Sequence, residues 1–208
     1  LIDAGVEFKY NSIVRSVSKK SSGQIDVSLK TGSANSHDKV ISTLPSSVSA
    51  KIAPDISELE KKQHYAIKYL GVICTTILLK KKLSDFYVTN ITDTNTPFTG
   101  VIEMTALINP KEINGLHLIY LPKYVNSDDA LLDTPDEELS KSFLNDFLKM
   151  YPSVSKADVS FCGVSKARNV FSLPTLNYSG NLPGIKTSID NYYIVNSAQI
   201  INGTLNVN

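Results

Sequence analysis

Between Tyr65 and Tyr120, four runs rich in β-branched and aromatic residues follow one another with only turn chemistry between them. No other feature of the 208-residue chain limits its fold as much. The runs are Tyr65 to Lys80, Phe86 to Ile91, Gly100 to Ala106 and Leu116 to Tyr120. Their connections carry Asn95-Thr96-Pro97, Asn109-Pro110 and Asn114-Gly115. Strands joined by short turns run antiparallel, because a parallel pair needs a long crossover, and such a sheet has one face covered. Thr134-Pro135-Asp136-Glu137-Glu138 reads as the start of that cover. It places an N-cap at Thr134, proline at the first helical position, then acids on the positive end of the helix dipole. Leu139, Phe143, Leu144, Phe147 and Leu148 supply its apolar stripe.

The flanks read differently. Val6 to Tyr10, Ile13 to Val17, Ile25 to Leu29 and Val40 to Leu44 alternate or run apolar around turns at Ser21-Ser22-Gly23 and Thr31-Gly32-Ser33. This predicts a β-meander whose last strand is buried on both faces. Ser46 to about Lys62 reads as helix, with a second short helix starting at Pro54-Asp55. Val159 to Val170 and Tyr192 to Val195 are further strands, the second buried. The predicted fold class is α+β: a large, mostly antiparallel sheet backed by helices, plus a small β-meander. Leu1-Ile2-Asp3-Ala4-Gly5 reads as the end of a glycine-capped helix, and both termini suggest a piece of something longer.

Composition excludes several classes. A net charge of +1 gives no reason to expect nucleic acid or an anionic membrane as partner. No apolar stretch has the length of a membrane span, since Lys68, Thr75 and Thr76 interrupt Ile67 to Leu79. Cys74 and Cys162 lie in apolar runs and read as buried thiols in a reducing compartment. With no signal peptide ahead of the acceptor triplets at Asn90, Asn177 and Asn202, the expected location is cytoplasmic. His37, His64 and His117 lack metal-ligand spacing, so no metal is expected. No two glycines stand two residues apart, which rules out a G-x-G-x-x-G phosphate cradle within this chain.

One pattern does extend over most of the chain. Gly5-Val6-Glu7-Phe8, Asn11-x-x-Val14-x-x-Val17, Val27-x-Leu29-x-Thr31-Gly32 and Asp38-x-Val40-Ile41-Ser42-Thr43-Leu44-Pro45 occur in that order. They resemble the section after the dinucleotide-binding unit in the flavin amine oxidase, protoporphyrinogen oxidase and phytoene desaturase superfamily. Phe86 to Ile91, Pro97 to Thr105 and Leu118 to Tyr124 are similar to its substrate domain, and Asn191 to Ile200 to its closing strand. The resemblance implies an FAD-dependent oxidoreductase, of which this chain would be the carboxy-terminal portion. In it, residues 1–50 are a meander from the FAD domain, 51–182 the substrate-binding domain, and 183–208 the return to the FAD domain. It implies FAD in the parent but not in this fragment, which would be inactive alone, and a small molecule as substrate. Homo-oligomerisation is left open.

By the same resemblance, backbone groups at Val14 contact the adenine, while Asn196, Ser197, Gly203 and Thr204 lie where the closing strand and its glycine-led turn meet the flavin. Many members carry Gly-Asp where this chain has Asn196-Ser197, which removes a charge from that contact. Glu103, an acid in an apolar strand, either lines the substrate cavity or, as alternation favours, faces solvent. Tyr120, Tyr124 and Tyr178 either wall the cavity above the flavin or pack with their hydroxyls toward water. Arg168 pairs with an anionic substrate or with Asp158. Two rival readings remain: a non-enzymatic ligand-binding module, and an interaction domain whose edge strands pair with a partner.

Overall fold

The computed structural model describes residues 1–201. In chain order the elements are β1 (Val14–Lys19), β2 (Ile25–Leu29), β3 (Ala34–His37), β4 (Val40–Ser42), α1 (Ser46–Ile52), α2 (Glu58–Ala66), β5 (Tyr69–Leu79), β6 (Val88–Asn90), β7 (Gly100–Glu103), β8 (His117–Asn126), α3 (Asp136–Met150), β9 (Val159–Ser172), α4 (Tyr178–Asn181) and β10 (Tyr192–Ile194). The fold is mixed α/β with antiparallel sheets, as the residue pattern implied. It divides into two compact units, one of residues 69–170 and one of residues 1–68 with 171–208.

The unit of residues 69–170 is built on a five-stranded sheet in the order β6-β7-β8-β5-β9. β5 and β8 pair antiparallel from Leu70 opposite Asn126 to Leu79 opposite His117. β8 therefore runs six residues past the expected end at Tyr120, through Pro122. Along β5 each odd position from Tyr69 to Leu79 is buried and each even one half-buried, as a pleat with one covered face requires. The cover is α3, whose Leu139, Phe143 and Phe147 recur every four residues and join Ile73, Ile77, Ile119 and Leu121 in one core. Phe98 and Phe143 meet with ring centroids 5.8 Å apart. The helix begins one residue later than expected. Pro135 takes the N-cap position with extended backbone and makes no side-chain cap bond, while the carbonyl of Thr134 accepts instead from Lys166 Nζ at 2.7 Å.

In the other unit, β1, β2 and β3 form a meander in that order; β1 and β2 match expected strands, whereas β3, exposed along its length, is not among them. Val6 to Tyr10 is not one of its strands; alternation made it look like one, but no described strand pairs with it. β4 is not in the meander either. It pairs in parallel with β10, with Tyr192 opposite Val40 and Ile194 opposite Ser42. β4 is also not buried on both faces: Ile41 is 64% exposed. Val17, Ile25, Ala50, Ala53, Ile56, Tyr192 and Ile194 form this unit's core. Pro54-Asp55 does not start the second helix. Ser57 caps it in a box with Glu60, whose carboxylate also accepts from the backbone of Ser188 at 2.7 Å.

Candidate functional site

Val14 stands on β1, the edge strand of the meander, where the register slips between Val14 and Ser16. Val14, Val27 and Leu29 line an open cavity of about 360 Å³ together with Lys9, Asn35 and His37. Bulges at sheet edges interrupt the regular ladder of backbone bonds. In the segment before β1 the rings of Phe8 and Tyr10 stack with centroids 6.0 Å apart.

The parallel pair gives a second part of the site. Val40 N–H donates to Asn191 and Val195 N–H to Ser42, both at 2.9 Å, so both strands end at the same side. Asn196 sits just beyond that end. Its side-chain amide donates to the Leu44 carbonyl at 3.0 Å and to Ser46 Oγ at 3.2 Å, while its Oδ1 accepts from Ala198 N–H at 3.0 Å. These bonds leave the Asn196 side chain little capacity for a ligand; it fixes the turn. Ser197, the next residue, is exposed. Crevices beyond the carboxyl ends of parallel strands are where α/β folds place their ligands. Gly203 and Thr204 lie outside the described residues.

In the five-stranded sheet the two candidate substrate residues fall on opposite faces. Glu103 stands opposite Ile119 and is 1% exposed on the helix-covered side, so the solvent-face expectation is overturned. Its carboxylate accepts from Leu83 N–H at 3.1 Å and Ser84 N–H at 2.8 Å, with His117 Nδ1 at 3.9 Å. An acid in an apolar strand survives there because the neighbouring loop supplies the donors. Tyr120, opposite Ile102 and Thr76, lies on the uncovered face, and Tyr124 shares it. Arg168 binds Asp133 and the Ser127 carbonyl, not Asp158. Lys81 and the Ser155 backbone and hydroxyl hold Asp158 instead, and they draw its pKa down to about 2, with the Ser155 bonds contributing most.

Tyr178 belongs to the unit of residues 1–68 and 171–208, where its hydroxyl donates to the Ala198 carbonyl at 2.6 Å. It lines a cavity of about 320 Å³ together with Lys62, Ala66, Ile67 and Asn181. Sequence reading did not anticipate that cavity. It also gave no weight to the uncovered sheet face, although β5 carried the signal: Leu70, Val72, Cys74, Thr76 and Leu78 include no charge at the positions that alternation assigns to solvent. Among the described residues no group of three or more His, Cys, Asp or Glu side chains is placed to hold a metal, and no helix is long and apolar enough to cross a membrane.

Residues 2–175 match the family model described as flavin containing amine oxidoreductase. Among solved structures, the chain is similar to a protein of Exiguobacterium sp. 255-15 assigned as a protoporphyrinogen oxidase. That match has a TM-score of 0.68 and 13% identity, over 90% of this chain and 42% of the other. It is similar to an oxidoreductase from Methanosarcina mazei at TM-score 0.65 and 18% identity, over 90% and 44%. For a reduced UDP-galactopyranose mutase the values are 0.57 and 12%, over 75% and 34%. The chain thus spans less than half the length of the solved structures it matches. No curated protein sequence matches it.

Proposed function

The chain belongs to the flavin containing amine oxidoreductase family, and on that premise we propose that it supplies the substrate-binding sheet and part of the flavin cleft of an FAD-dependent oxidoreductase. The observation that carries the reading is the open parallel pair. The bonds of Val40 N–H and Ser42 C=O point to β10, so the N–H and C=O of Ile41 point the other way, toward an edge that no described strand occupies. A parallel pair this short needs further strands beside it, and the family's dinucleotide-binding unit provides strands of that kind.

The unit of residues 1–68 with 171–208 then serves the FAD domain, and the unit of residues 69–170 the substrate. FAD meets the chain through the Val14 backbone and Ser197, with Gly203 and Thr204 continuing the second contact. When bound, the flavin accepts the hydride from a small-molecule substrate, and the residues of this chain position both. The fragment alone is inactive, because the pyrophosphate cradle is not among its residues. The two free thiols suit a cytoplasmic setting.

Titrating FAD into the isotopically labelled 208-residue chain, followed by NMR, tests this. Weak, saturable shifts at Val14 and Ser197 support it; shifts absent at both positions favour a binding module that never used a flavin. Stoichiometric FAD on the purified chain would contradict the view that its main cradle lies elsewhere.

A further inference from the structure

We propose that the ligand of the uncovered sheet face is an uncharged, largely apolar molecule, an inference that rests on reading that face as the substrate wall. Its basis is a segregation of charge within the sheet. The strands carry Glu103, His117, Lys123, Lys166 and Arg168, and all of them lie on the helix-covered side. Glu103 stands opposite Ile119, and Lys123 opposite Ile73, two residues of the core. His117 alternates with them on β8, while Lys166 pairs with Asp136 and Arg168 with Asp133.

The alternate positions that face the other way, from Leu70 to Leu78 on β5 and from Leu118 to Tyr124 on β8, together with Ile102 and Val88, include no acid or base. Val88 and Tyr124 remain 44% and 41% exposed. This inverts the usual order of a one-sided antiparallel sheet, in which the free face is polar. A face kept apolar while the covered one carries the charges is shaped for a ligand, and its chemistry ranks ligands. A protonated amine or a carboxylate would shed its hydration there with no counter-ion to meet it. An uncharged ring or chain loses nothing comparable. The Thr76 and Tyr120 hydroxyls, directly opposite one another, can orient a single polar group.

The test compares three probes of one shape, 2-naphthalenemethanol, 2-naphthylmethylamine and 2-naphthoate, titrated into the labelled 208-residue chain at pH 7. The alcohol should shift Val72, Thr76 and Ile102 saturably, with both ions bound at least about tenfold more weakly. Thr76→Asp, an outward-facing change on β5, should weaken the alcohol and strengthen the amine. Amine binding equal to that of the alcohol, or indifferent to Thr76→Asp, overturns the proposal while leaving the face as a ligand wall. If none of the probes perturbs these residues, the reading of the face as a wall fails instead.

Discussion

Glu103 holds Ser84 twice, accepting from its backbone N–H at 2.8 Å and from its hydroxyl at 3.2 Å, while the other carboxylate oxygen accepts from Leu83 N–H at 3.1 Å. One buried acid thereby ends the loop after β5 and fixes it to β7. Hydrogen bonds to a charged group contribute about 1.5–3 kcal/mol each, and the donors left behind would lose their partners. Glu103→Ala should therefore cost about 3 kcal/mol or more. Glu103→Gln, which keeps an acceptor, should cost less. Urea unfolding reads both values. Probe binding at the uncovered face should be unchanged in Glu103→Gln, because Glu103 lies on the other side of the sheet.

Gly71 is a close-packing position in β5. A Cβ there would lie 3.0 Å from the Ala167 carbonyl oxygen and 3.1 Å from Leu132 Cδ1. The side chain can give way, but the β9 backbone cannot without disturbing the ladder. Gly71→Ala should destabilise by about 1–3 kcal/mol, in the range of overpacked cores. Gly115→Ala, with open space around it but a φ of 76°, tests a different cost, that of left-handed backbone alone. If Gly71→Ala folds with unaltered stability, the packing argument is wrong.

Asn196 bridges the end of β10 to the turn between β4 and α1 through Leu44 and Ser46. Asn196→Ala removes both links and the acceptor for Ala198 N–H, at an expected cost of about 2 kcal/mol. Ser197→Ala, at an exposed neighbour, should leave unfolding within about 0.5 kcal/mol of the parent. If FAD is added, the order should reverse: Ser197→Ala should weaken the shifts at that turn more than it weakens the fold.

Sequence periodicity located the strands and the covering helix because α3 and β5 carry long repeats that only one secondary structure satisfies. Val6 to Tyr10 alternates equally well, yet a strand needs a partner, and alternation says nothing about pairing. β8 runs past its expected end at Tyr120 and on through Pro122. In the fold the carbonyl of Pro122 accepts from both the N–H and the hydroxyl of Thr99, so the residue earns its place as an acceptor. Alternation alone puts Glu103 on the solvent face; the loop donors that make its burial tolerable lie about twenty residues away and leave no local trace. The Ser57-Glu58-Leu59-Glu60 capping box was visible in the sequence and was passed over for the nearby proline. Val14 was placed by resemblance, and the cavity at its side was not legible at all, because it depends on the meander's register.

His64 gives the chain a predictable response to acid. Its ring is 1% exposed, and neither nitrogen has a hydrogen-bond partner among the described residues. Burial lowers its pKa from the ordinary value of 6.5, and the nearby Glu60 offsets only part of that. The unfolded chain therefore takes up the His64 proton at a pH where the folded chain does not. Above about pH 6.5 both states hold a neutral ring and the residue costs nothing. As the pH falls below that value, the unfolded state gains the proton first, and stability declines until the folded-state pKa is reached. Urea midpoints measured from pH 8 to pH 5 should fall on the acid side, and His64→Phe, a ring of similar size that cannot titrate, should flatten that part of the curve. Parallel curves for the two proteins would mean that protonation of His64 is not linked to folding.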